Sequence, residues 1–120
     1  SPVDIDSLLK NKKQFRKFIK GNRFNPQNNP AGAKSMGATM VMLANEIMGV
    51  KLGDDIRKEC EKGPIIGARM LAQEIAKKDK SKAKKFVLAI ANASDDILKN
   101  PDDEQAKKDF ISAAIDQMFK

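Results

Sequence analysis

The chain has no histidine, no tryptophan, no tyrosine and a single cysteine among its 120 residues. Each absence closes a class of chemistry. Without histidine there is no Ser-His-Asp triad, no Cys-His pair and no imidazole proton shuttle, and one cysteine cannot complete a His/Cys zinc site. The side chain that ordinarily titrates near neutrality is missing. The sequence therefore reads as that of a protein that is not an enzyme, with no cofactor, no metal and no small-molecule substrate. A lone cysteine cannot form an internal disulfide, which fits a reducing compartment. Cys60 lies in DDIRKECEKG, where the adjacent Glu59 and Glu61 raise a thiol pKa, so it reads as a small semi-buried side chain and not as a nucleophile.

Long apolar runs are also lacking. Met36 to Val50 (MGATMVMLANEIMGV) falls about five residues short of the roughly 20 that span a bilayer, and it contains Asn45 and Glu46. The opening residues SPVDIDSLL lack the basic-then-apolar order of a secretory signal, so either the chain is cytoplasmic, the simpler expectation, or a leader has already been removed. The doublets Asp54-Asp55, Asp95-Asp96 and Asp102-Asp103 have the chemistry to hold Mg²⁺. Each also falls where a helix start or an exposed helix face places an acid, and no metal is assigned to them.

What the chain does have is helical periodicity from end to end, with 41% hydrophobic residues, enough for one core. Asp4 caps a first helix running to about Lys20, with Ile5, Leu8, Leu9, Phe15, Phe18 and Ile19 on one side. Gly21 ends it. Drawn as one helix, this segment puts Lys12 inside the apolar stripe, so either Lys12 snorkels or the helix bends. NRFNPQNNPAGAK reads as a loop, because Asn, Pro and Gly favour turns.

A second helix spans about Lys34 to Val50, with Met36, Met40, Leu43, Ala44, Ile47 and Val50 on one face. It reads as central and mostly buried. Four of the six methionines lie in it, as core filler or as a partner-binding stripe. Helices follow over Asp54 to Lys62 and over Pro64 to Lys78. A further central helix carries Phe86, Ala89, Ile90, Ala93 and Ile97, and a last one opens on Asn100-Pro101 with acids behind. The expected fold is all-α, a compact single-domain bundle or orthogonal array of five to six helices. Its parts are a basic N-terminal helix over about 4–20, an Asn/Pro/Gly loop over about 21–33 and a helical core over about 34–120.

The charge is unevenly laid out. Of the net +7, nearly all sits early: Lys10, Lys12, Lys13, Arg16, Lys17, Lys20, Arg23 and Lys34 come with no acid between residues 7 and 45. A second cluster comprises Lys77, Lys78, Lys80, Lys82, Lys84 and Lys85, opposed only by Asp79, whereas Asp95 to Asp116 is an acidic end. Such a layout is the electrostatic footprint of a phosphate-backbone binder. Lysine outnumbers arginine nineteen to four, which suits charge neutralisation better than bidentate base reading, so little sequence selectivity is expected, for RNA or DNA. The expected contacts are Lys10, Lys13, Arg16, Lys17, Lys20, Arg23 and Lys34, with the Lys77 to Lys85 cluster second. Phe24 either stacks on an unpaired base or pins the loop to the core.

No RNP sequence, GXXG clamp, zinc finger or helix-turn-helix accompanies this charge. The competing reading is an interaction or adaptor module whose basic helix docks an acidic protein. Basic and acidic ends on one domain also permit head-to-tail homo-oligomers of a nucleocapsid-like kind, with Met42, Leu88 and Phe119 off the main apolar faces. Membrane adsorption through Phe15, Phe18 and Ile19 ranks below these, since the core needs the same residues.

Overall fold

The computed structural model describes residues 4–119. The first helix of the sequence reading is two. Asp4 caps α1 (Ile5–Lys10), accepting from the Asp6 N–H at 3.1 Å and the Ser7 hydroxyl at 2.9 Å. Asn11 then adopts an extended conformation, and its side chain opens α2 (Lys12–Phe18) by accepting from the Gln14 N–H. The break rephases the apolar stripe. Ile5, Leu8, Leu9, Phe15 and Ile19 all reach the core, and Lys12 is left in solvent. Lys20, not Gly21, takes the left-handed conformation that ends α2. Gly21 starts a 3₁₀ turn (Gly21–Phe24) pressed so closely on α2 that a Cβ there would stand 2.8 Å from Arg16 Cγ and 3.2 Å from Ile65 Cδ1.

The long loop is shorter than expected, because α3 (Pro30–Met48) begins four residues before Lys34. Asn29 caps it and Pro30 fills its first position. The same Asn29 donates its amide to the Leu98 carbonyl at 2.9 Å, tying the helix start to a distant segment. As expected, α3 is central: Met36, Met40, Leu43, Ala44 and Ile47 are buried, and so are Ser35, Gly37 and Thr39 on other faces. Two of its methionines are core filler, while Met42 lies exposed; Val50, placed on the buried face by periodicity, sits past the helix end and is 45% exposed.

Helix α4 (Asp54–Lys62) and helix α5 (Pro64–Lys78) run where expected, joined by Gly63. They meet α3 around Cys60. A Cβ on Gly37 would overlap the Cys60 carbonyl, and one on Gly67 would lie 2.7 Å from the Cys60 sulfur, so three backbones converge there. Asp79 alone connects α5 to α6 (Lys80–Ala91) and caps it through the Lys82 N–H. The single helix expected through Ile97 is broken: α6 stops at Ala91, and a short α7 (Asp96–Lys99) follows. Helix α8 (Glu104–Met118) starts three residues later than Pro101, capped by Asp103 instead of Asn100. Pro101 is held elsewhere, its carbonyl accepting from the Ser35 hydroxyl at 3.0 Å.

Helix α3 packs on α4, α5, α7 and α8, α6 lies beside α5, and the α1–α2 pair crosses the α5–α6 layer. Arg69 Nε donates to the Leu9 carbonyl at 2.8 Å and Lys80 pairs with Asp6 at 3.0 Å, which fastens α1 along α5 and the start of α6. The result is an all-α globule of 32 × 29 × 28 Å, eight α-helices and no strand among the described residues. Near-equal extents exclude an open solenoid.

Candidate nucleic-acid interface

Helix α2 is short, exposed on its outer side and held by Phe15 and Ile19 on its inner side. Positions 13, 16 and 17 follow helical spacing and therefore project together, and the left-handed turn at Lys20 brings that residue to the same surface. Lys13, Arg16, Lys17 and Lys20, with Gly21, Asn22 and Arg23, line a shallow groove of about 570 Å³. Among the described residues no carboxylate lines it. None of Lys10, Lys13, Arg16, Lys17 and Lys20 makes an ion pair among the described residues. Asn22, passed over in the sequence reading, adds an exposed amide to the rim; its place in the turn after the basic helix was the available signal.

Two residues of the expected set have other work. The Arg23 guanidinium donates to three carbonyls at the end of α6: Ala93 at 2.6 Å from Nη1, and Ile90 and Ala91 at 2.8 and 2.9 Å from Nη2. It also stacks 4.5 Å from the Phe24 ring centre and stands 3.5 Å from Asp95. Its donors face protein, with Nε buried and unpaired, so Arg23 is a tertiary cap that borders the groove and not a free phosphate contact. Phe24 is 1% exposed and cannot present its ring to a base; of the two roles weighed for it, the structure leaves the anchoring one.

The second lysine cluster is also broken up. Lys77 pairs with Glu74 at 2.9 Å and Lys80 with Asp6, while Lys85 donates to the Met118 carbonyl at 3.0 Å. Lys82 lies 5.8 Å from the ring centre of Phe119. Lys78 and Lys84 make no ion pair among the described residues. Lys34 lies apart from the α2 groove, in a depression with Lys58, Glu61 and Lys62. The expected footprint thus divides, and among the described residues the α2 part is lined without an acid, whereas Glu61 lines the depression at Lys34.

Cys60 is fully buried, deeper than the semi-buried site expected. Burial first, then Glu59 and Glu61, push its thiol up to about 11. A thiol so placed is neutral and shielded at physiological pH. No group of three or more acids and cysteines able to hold a metal ion occurs among the described residues, and none of their helices is long and apolar enough to cross a membrane. Compared with protein-family models, with curated proteins and with solved structures, the chain matches none.

Proposed function

We propose that this is a non-enzymatic protein that binds nucleic acid through its phosphates, along the α2 groove and with little sequence selectivity. The observation that carries the proposal is the groove itself: Lys13, Arg16, Lys17 and Lys20 gather on one surface with neither an acid in the lining nor an ion pair to neutralise them. Lysines whose heads stand in solvent on a rigid helix suit a row of phosphates, each contact releasing condensed counterions. Lys10 extends the surface towards α1. Phe15 and Phe24 are buried, and the half-buried Phe18 is not in the groove lining, so backbone contacts are the groove's means of binding.

Fluorescence anisotropy with a labelled single strand and a labelled duplex tests this. Four phosphate contacts imply a loss of affinity of about 10²-fold between roughly 50 and 200 mM salt. The double reversal Lys13→Glu and Lys17→Glu is expected to abolish binding without lowering the melting temperature. Binding that survives it places the interface elsewhere. No binding even at low salt leaves the other reading, in which the same groove docks an acidic protein surface.

A further inference from the structure

A second surface lies on the other side of Asp95, and its chemistry is the reverse. Helix α8 has fifteen residues, yet only Ala114 and Met118 are buried, while Phe110, Ile111 and Ile115 are half-covered. The opening this leaves between α6 and α8 is a cleft of about 460 Å³ floored by Leu88, Ala89, Phe110 and Ala113. It continues into a second depression of about 650 Å³, with which it shares Asn92, Phe110 and Ala113. Asp96, Asp103 and Asp109 line that end, and among the described residues no cation does.

We propose that this trough docks a basic amphipathic helix from another protein. An apolar floor calls for an apolar stripe at helical spacing; Lys85, on the rim of the first cleft, is taken up by the Met118 carbonyl, and the three acids at the far end call for Lys or Arg beside them. The trough runs along α8, whose fifteen residues span about 22 Å at ~1.5 Å each, room for about four turns of a partner helix. This chain's own basic helix is not the occupant, because Phe15 and Ile19 are buried in the core and have no free apolar stripe to offer. Nucleic acid is not the occupant either, since the acids repel it. The proposal is therefore independent of the α2 groove.

The test is titration of the isotope-labelled protein, followed by backbone amide NMR, with a fourteen-residue Leu/Lys peptide of helical spacing. Its Leu/Glu counterpart and a scrambled Leu/Lys sequence serve as controls. The Leu/Lys peptide is expected to bind at least tenfold more tightly than either, shifting Leu88, Ala89, Phe110 and Ala113. Ala113→Arg, at an exposed position, fills the trough and is expected to weaken binding at least tenfold. Asp109→Lys on the rim weakens it several-fold and more so at low salt. Equal affinity for the Leu/Glu or scrambled peptide, shifts confined to α2, or unchanged affinity in both variants overturns the proposal. So does an absence of binding. Shifts of the same residues with protein concentration alone would make a second copy the occupant, and also overturn it.

Discussion

Replacing Arg23 by alanine separates a structural cation from a binding one. The Ile90 carbonyl also accepts from the Ala93 N–H at 3.2 Å, but Ala91 and Ala93 have the guanidinium as their partner. Hydrogen bonds from a charged donor contribute roughly 1.5–3 kcal/mol each when buried, and this side chain is 21% exposed, so the low end applies. Two orphaned carbonyls and the lost contact with Phe24 put the cost of Arg23→Ala at about 3 kcal/mol. For a chain of this size that is a fall of about 10 °C in melting temperature. Arg23→Lys keeps the charge, but one ammonium cannot reach carbonyls served by two diverging nitrogens, and about half the loss should remain. Thermal melts by circular dichroism, paired with anisotropy, read both quantities. A variant that melts within about 2 °C of the parent while losing nucleic-acid affinity refutes the assignment and returns Arg23 to the binding surface.

Two further outcomes follow from Cys60 and its neighbours. Gly37→Ala forces a methyl into the Cys60 carbonyl, backbone against backbone, and is expected to lower stability by about 3 kcal/mol, read as a shifted urea midpoint at unchanged slope. Below pH 9 the thiol is protonated whether the chain is folded or not; between 9.0 and about 11 the unfolded chain releases the proton first. Stability should thus fall by up to about 1.4 kcal/mol per pH unit across that window, and by less in Cys60→Ala, the difference between the two melting series being the check.

The periodic core was legible because burial is written locally. The face of α3 could be drawn from spacing alone, Val50 excepted, and Pro64 marked its own helix start. What escaped depends on contacts distant in sequence. Asn11 looks like any polar residue in a basic helix, and only the need to bury both Leu9 and Phe15 makes it the place where the helix breaks. Asn100-Pro101 has the signature of a helix start, yet the Ser35 hydroxyl holds the Pro101 carbonyl in a turn, and Asp103 caps α8 three residues on. The basic segment read as one patch for the same reason. Charge is visible in a sequence, but the partner that neutralises it is not: Arg23 meets its carbonyls 67 to 70 residues away, and Lys80 meets Asp6 at a separation of 74.

The unpaired lysines leave a cost in the free protein that can be measured without any ligand. Within α2, Lys12 and Arg16, Lys13 and Arg16, and Lys13 and Lys17 are like charges three or four residues apart, each such pair opposing the helix by roughly 0.2–0.5 kcal/mol. Lys12 and Lys13 also occupy the first turn, where no acid offsets them and where a cation meets the positive end of the helix dipole at about 0.3–1 kcal/mol each. Together these terms come to about 2 kcal/mol. The five ion pairs elsewhere among the described residues also weaken with salt, but exposed pairs contribute only about 0.3 kcal/mol each and the net charge of +7 leaves repulsion in excess, so screening should relieve more repulsion than it removes attraction. Raising sodium chloride from about 10 to 150 mM shortens the screening length from about 30 to 8 Å and is expected to raise the melting temperature by about 5 °C. The double variant Lys13→Gln and Lys17→Gln should melt higher at low salt and lose most of that response. If it responds to salt as the parent does, the repulsion is not centred on α2, and the surface proposed to meet phosphates is not the concentration of charge that its spacing implies.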